Sequence, residues 1–332
     1  MSAVPPRATD LVHRNELTRG APRADIPPNS MNGSLSCIDT YLELLCIRGE
    51  VILVTITPEV RFLSSYRDVM KILRGKKALV TGAASGIGRS IALALAREGV
   101  DLYLVDIDDI KIDAVACDAR RHGIEVRTAH CDLARPEQIT TVVESVLAAW
   151  GRLNILVNNA GVAHRGPTHE MTGEQWNRVL AVNLMAPIQL VREFLPSLRS
   201  NEAHILNVCS IFGLASTRKA AAYQTSKFAL VGLSAALRAE YGNSAFGVTA
   251  LCPGFAHTPL VDELHEVEKL PPEWMFTDLD TVATAAIRAI RKNKGIAVVG
   301  RAARALWLLT RLSPAFVDWL NRRGWRSLSA RC

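Results

Sequence analysis

A short apolar run, Lys77-Ala78-Leu79-Val80, leads without interruption into Thr81-Gly82-Ala83-Ala84-Ser85-Gly86-Ile87-Gly88, and an alanine-rich stretch, Ser90 to Arg97, follows. This order of buried strand, glycine turn and helix constrains the fold more than any other feature of the chain. Gly82 permits a tight turn, while Gly86 and Gly88 let backbone approach a pyrophosphate and let the helix pack closely on the strand. The helix N-terminus then offers N–H groups and a partial positive charge to phosphates. The glycine spacing departs from G-x-G-x-x-G, so the reading rests on the strand and helix that flank it.

A second strand, Asp101 to Asp106, ends in an acid roughly 20 residues past the turn, where a ribose is expected. Asp106 would accept hydrogen bonds from ribose hydroxyls and repel a 2′-phosphate. The next residues, Ile107 and Asp108, supply no arginine for such a phosphate. NAD is therefore expected over NADP, with Arg89 early in the first helix as the residue that could favour NADP. Further strands at Ile155 to Val157, His204 to Cys209 and Val248 to Cys252 alternate with helical stretches. They predict one α/β domain built on a doubly wound parallel sheet, a Rossmann fold.

The candidate chemistry lies in Ala222-Tyr223-Gln224-Thr225-Ser226-Lys227. Tyr223 and Lys227 share a helix face at i, i+4. A nearby cation lowers a phenol pKa from its ordinary value of about 10, and a proton-transfer group works best near the ambient pH. A bare Y-x-x-x-K is commonplace on solvated helices and takes its meaning from what surrounds it.

With these motifs the chain resembles the short-chain dehydrogenase/reductase family from about Lys76 to about Gly300. Thr81 to Gly88 matches its T-G-x-x-x-G-x-G, Asn158-Asn159-Ala160-Gly161 its N-N-A-G, and Pro253-Gly254 with Thr258 its P-G-x-x-x-T. Asp132-Leu133 matches the acid after the third strand, Asn183 the helix asparagine, and Ser210 lies thirteen residues before Tyr223. The resemblance implies a catalytic tetrad of Asn183, Ser210, Tyr223 and Lys227. Tyr223 would exchange the proton, Ser210 would hold the substrate oxygen, and Lys227 would lower the tyrosine pKa and bind the nicotinamide ribose. The side chain or backbone of Asn183 would hold a water leading to solvent. Thr81, Gly82, Ser85, Gly86, Ile87, Gly88, Asp106, Asp132, Leu133, Asn159, Ala160, Gly161, Pro253, Gly254 and Thr258, with Tyr223 and Lys227, would contact the cofactor. No metal is required, and His164 and His169 read as ordinary loop histidines.

Ser210, Phe212, Tyr223 and Phe255 are the expected substrate contacts, and Leu214 should face the same cleft. The loop Phe255 to Phe276 carries Leu260, Val261, Leu264, Leu270, Trp274, Met275 and Phe276. This lining favours a hydrophobic secondary alcohol or ketone, such as a lipid, steroid, retinoid or aromatic compound. Asp262, Glu263, Glu266 and Glu268 in the same loop disfavour an anionic substrate. The alternatives are reduction of a 3-oxoacyl thioester with NADPH and a non-catalytic dinucleotide sensor.

The 332 residues suffice for one large core, and the seven cysteines have no framework spacing. They read as reduced residues of a cytoplasmic protein. No uninterrupted apolar run has the length of a membrane span. Residues 1–69 fall outside the family pattern. Residues 1–36 are expected to be disordered, and 37–66 to form a short hairpin or helix packed on the domain. Met70 looks like a family start, so 1–69 could also be an over-extended start. The domain proper is expected over 70–300, and a basic amphipathic tail over 301–332. From Arg288 to Cys332 there are eleven Lys or Arg and one acid, Asp318, whereas the whole chain is +7. With Leu306, Trp307, Phe316 and Trp319 among these cations, the tail suits peripheral contact with an anionic membrane. Nucleic-acid binding is not expected, because no recognition motif accompanies the charge. A homo-oligomer is expected from the family.

Overall fold

A computed structural model describes residues 41–47, 50–56, 70–199, 202–242, 245–261 and 271–329, with side chains over 70–322 of that set. The chain forms two units, residues 1–61 and 62–332. In the first, β1 (Tyr41–Ile47) pairs antiparallel with β2 (Glu50–Ile56) as a hairpin. The expected disorder of residues 1–36 lies outside the described residues.

The second unit is a seven-stranded sheet, every pairing parallel, in the order β5-β4-β3-β6-β7-β8-β9. Its strands are β3 (Lys77–Thr81), β4 (Asp101–Asp106), β5 (Val126–His130), β6 (Ile155–Asn158), β7 (Ala203–Val208), β8 (Phe246–Pro253) and β9 (Ile296–Val299). Sheets of this kind are covered on both faces, so their central strands are apolar in both directions. Alternate residues accordingly join two cores. Ala78, Val80, Leu102, Leu104, Ile155 and Val157 pack beneath α1 (Gly86–Arg97), α2 (Asp109–Arg120) and α7 (Leu279–Arg291). Leu79, Tyr103, Val105 and Leu156 point the other way, to α3 (Pro136–Trp150) and α5 (Ala186–Arg199). Met70 is itself fully buried in the first core.

Between α4 (Gly173–Leu180) and α5 the helix widens into one π-helical turn, Ala181–Met185. The combined run Gly173–Arg199 is long and apolar enough to cross a membrane, but nearly half of its most apolar window is buried inside the domain. It is a core helix by that measure. A 3₁₀ turn, Ile211–Gly213, precedes α6 (Ala221–Tyr241), and another, Glu273–Met275, precedes α7. Two helices follow β9: α8 (Arg301–Leu312) and α9 (Pro314–Ser329). The strand order reverses between β3 and β6, and open parallel sheets bind ligands at such a point, outside the carboxyl ends of the strands.

Candidate active site

A cleft of about 470 Å³ opens at that reversal. Its cofactor side is built by close backbone approach. The Thr81 hydroxyl, at the end of β3, donates to Val157 O (3.3 Å) and accepts from the N–H groups of Asn159 (3.0 Å) and Ala160 (3.1 Å). Asn159 Nδ2 donates to the carbonyls of Thr81 (2.9 Å) and Gly82 (3.0 Å). A Cβ on Gly88 would lie 2.0 Å from the Gly82 oxygen, and one on Gly86, where φ is +52°, 3.0 Å from Thr258 Cγ2. The first turn of α1 is therefore pressed against the exits of β3 and β6. No side chain caps that helix and no acid occupies its first turn, so its N–H groups face the cleft as an anion site.

Asp106 stands beside this turn. Its carboxylate accepts from the N–H groups of Ala84 (2.9 Å), Ile107 (2.8 Å) and Asp108 (3.1 Å). Asp132 lines the next stretch and pairs with Arg178 at 2.9 Å, and that guanidinium holds its carboxyl below the usual range. Leu133, Asn159, Ala160, Gly161, Pro253, Gly254 and Thr258 line the same cleft, as do Ser85 and Ile87. Arg89 does not face it. That side chain is paired with Asp118 of α2 at 3.2 Å. Lys111, in the first turn of α2, also lines the cleft, and its ammonium sits 2.7 Å from Asp108.

The four expected catalytic residues converge. Ser210 and Tyr223 line both the cleft and the smaller cavity beside it, and the Ser210 hydroxyl acts on the phenol to lower its pKa. Lys227 Nζ donates to Val208 O at 2.9 Å and lies 5.6 Å from the Tyr223 ring centre. Fully buried Asn183 uses its whole side chain: Oδ1 accepts from Val162 N (2.8 Å), and Nδ2 donates to Val162 O (2.9 Å) and Ser226 Oγ (3.1 Å). These bonds tie the loop after β6 to α6, and the π-helical turn sets the backbone of Asn183 apart from the regular helices on either side.

The expected fall in the tyrosine pKa is not present in the protein alone. Burial pushes the Tyr223 phenol up to about 12, outweighing the Ser210 hydrogen bond that pulls it down. Burial also lowers the Lys227 pKa, which weakens the cation meant to act on the phenol. The Tyr223 ring remains partly exposed to the cleft, so anything bound there would alter this balance directly.

A smaller cavity of about 80 Å³ adjoins Ser210 and Tyr223. Phe212 and Phe255 meet edge to face across it (5.6 Å), and Phe276 supports Phe255 from behind (5.8 Å). Leu260 and Val261 close one side. Leu214 is not among these residues, because it packs inward beside Cys209, Leu230, Ala250 and Cys252. His164, expected to be an ordinary loop residue, lines this cavity with Arg165, while His169 is exposed beside Glu170. The signal for His164 was its position, three residues past Gly161 on the loop leaving β6. Trp274 is largely exposed. Leu264, Leu270 and the four acids at 262, 263, 266 and 268 lie outside the described residues.

A family model described as short chain dehydrogenase matches residues 76–269. The chain belongs to the short-chain dehydrogenase family. "Probable oxidoreductase EphD" of Mycobacterium tuberculosis is 35% identical over 252 residues, 71% of this chain and 43% of that protein. The chain thus spans less than half the length of this relative. A 3-alpha-(or 20-beta)-hydroxysteroid dehydrogenase of the same organism is 35% identical over 195 residues, 58% of this chain and 74% of the relative. Among solved structures, a short-chain dehydrogenase/reductase from Burkholderia phymatum in complex with NAD superposes with a TM-score of 0.67 at 28% identity, covering 74% of this chain and 96% of that one. The glycine turn, bare helix N-terminus and Asp106 fit a dinucleotide.

Proposed function

We propose that this dehydrogenase exchanges a hydride between a nicotinamide dinucleotide, NAD in preference to NADP, and an apolar secondary alcohol or ketone. The observation that carries the reading is the placement of Ser210 and Tyr223 together at the wall of a pocket formed by Phe212 and Phe255. The start of α1, Asp106, Asp132 and the 159–161 and 253–258 segments would hold the dinucleotide, which supplies the hydride donor or acceptor when bound. The rest is done by the chain's own side chains. Ser210 holds the substrate oxygen and steadies charge on it. Tyr223, a neutral phenol at ordinary pH, gives its proton to a ketone oxygen; for alcohol oxidation it must first become a phenolate. Lys227 is placed to favour that phenolate. Asn183 clamps Val162 to Ser226 of α6 and so keeps the cofactor-side loop in register with the catalytic helix. Met185 and Phe228 are exposed on the helical layer around the site, which supports the expected homo-oligomer.

A second reading, reduction of a 3-oxoacyl thioester with NADPH, draws on the cations Lys111 and Arg165 along the cleft. Titration with NADH and NADPH, followed by turnover on a steroid ketone and on an acyl thioester, separates the two. In the variant Tyr223→Phe, turnover should fall by roughly 10²- to 10⁴-fold with NADH affinity almost unchanged. Retained turnover would reject Tyr223 as the proton-transfer group.

A further inference from the structure

We propose that α8 and α9 form a docking face for an anionic membrane surface while bracing two segments of the substrate pocket wall. The pair is attached to the domain by a narrow inner side. Ala303 and Val317 are buried, Ala303 sits over Gly254, and Asn321 Nδ2 donates to Ser216 O (3.3 Å) and Oγ (3.2 Å). The outer side is apolar and open to solvent. Leu308, Phe316, Trp319 and Leu320 are each more than two-fifths exposed, and Leu312 is 84% exposed. Phe316 and Trp319 stack on each other at 5.5 Å. Leu308 and Leu312 share one face of α8 at i, i+4, and the chain passes through Ser313 directly to Phe316.

Charge selects the occupant. Arg301, Arg304, Arg311 and Arg322 are exposed on these helices, and Asp318 is the one acid in residues 301–332, against seven arginines. Arg311 lies over the Trp307 ring at 5.2 Å. Aromatic and aliphatic side chains flanked by arginines suit the boundary between acyl chains and anionic headgroups. A second copy of the same face would instead bring two arginine-rich surfaces together.

The position of the pair supplies the rest. Gly254 precedes the pocket residue Phe255, and Ser216 follows the pocket residue Phe212 by four positions. The two helices therefore brace both segments that furnish the aromatic walls, so docking would act on the pocket through these contacts. That coupling rests on the apolar-substrate reading; the docking itself does not.

The test is co-sedimentation of the full chain with vesicles of phosphatidylcholine alone and with about one-third phosphatidylglycerol. At least about tenfold more protein should pellet with the anionic vesicles, and the excess should disappear at high salt. Leu312→Glu with Trp319→Glu should abolish the excess while NADH affinity stays at the wild-type value. Leu312→Ser alone, at a position 84% exposed, should weaken it with little effect on the fold. Equal pelleting with both vesicle types, or equal pelleting of wild type and both variants, would overturn the proposal. So would lipid-free self-association of the wild type that the double variant loses, which would assign the face to a second copy. Because the readout is sedimentation, it stands or falls apart from turnover.

Discussion

Replacing Gly88 by alanine pits two effects of opposite sign against each other. In a helix, alanine is favoured over glycine by up to about 1 kcal/mol, and Gly88 has ordinary helical geometry, so propensity alone predicts a more stable protein. The new methyl, however, would lie 2.0 Å from Gly82 O, 2.4 Å from Asn159 Nδ2 and 2.8 Å from Gly82 C. Two of these are backbone atoms, which cannot swing aside. Relief requires α1 to move off the sheet or Asn159 to release its two hydrogen bonds to Thr81 and Gly82. Overpacking costs about 1–3 kcal/mol, and each lost hydrogen bond about 1 kcal/mol. After the propensity gain, a net loss of about 2–4 kcal/mol remains. For a domain of this size that lowers the melting temperature by roughly 5–15 °C. NADH affinity should fall at least about tenfold, because the displaced turn is the phosphate site. Gly232→Ala is the control. That glycine lies within α6 with nothing within 4 Å of the added methyl, so it should gain about 0.5–1 kcal/mol. Thermal unfolding with and without NADH measures both. If Gly88→Ala matches the wild type in stability and NADH affinity, the close approach of helix and turn is not what holds this site together.

At Asp106, substitution by serine should weaken NADH about tenfold and NADPH less, because repulsion of a 2′-phosphate is lost along with the ribose acceptor; an unchanged ratio in paired fluorescence titrations would remove Asp106 as the discriminator. His204 gives a pH dependence. It is fully buried, its Nε2 is 2.9 Å from Thr249 Oγ1, and burial pushes its pKa from 6.5 down to about 3. The folded state keeps the ring neutral while the unfolded chain protonates it, so this stability is complete above about pH 6.5 and is lost as pH falls toward 3. By pH 5 the loss is about 2 kcal/mol. Urea unfolding across that range should slope downward in the wild type and be flatter in His204→Gln, and parallel slopes would contradict the assignment.

The parallel sheet was legible because its signals are local. Each buried strand is a short apolar run, each helix follows with its own periodicity, and the glycine turn must sit between β3 and α1 whatever the rest of the chain does. The proposed tetrad came from the family resemblance, and Ser210, Tyr223 and Lys227 do line one region because Tyr223 and Lys227 share α6 and Ser210 ends the β7 exit beside them. The hairpin at 41–56 was one of two local options, and cross-strand pairing rather than helix formation is the one adopted.

Other features depend on groups that meet only after folding. Arg89 was a free candidate for a phosphate until α2 brought Asp118 to it, 29 residues along the chain. Lys111 entered the cleft wall by the same packing. Leu214 turned inward because the 3₁₀ turn after Ser210 points it at the Cys209 and Cys252 core. Asn183 clamps Val162 and Ser226, contacts that chain position does not reveal. The Tyr223 pKa moved opposite to what the i, i+4 spacing implies, because spacing sets the distance to a cation, whereas enclosure by residues from β7, β8 and α6 sets the cost of carrying charge. Desolvation has no period in a sequence, and only the assembled cleft decides it.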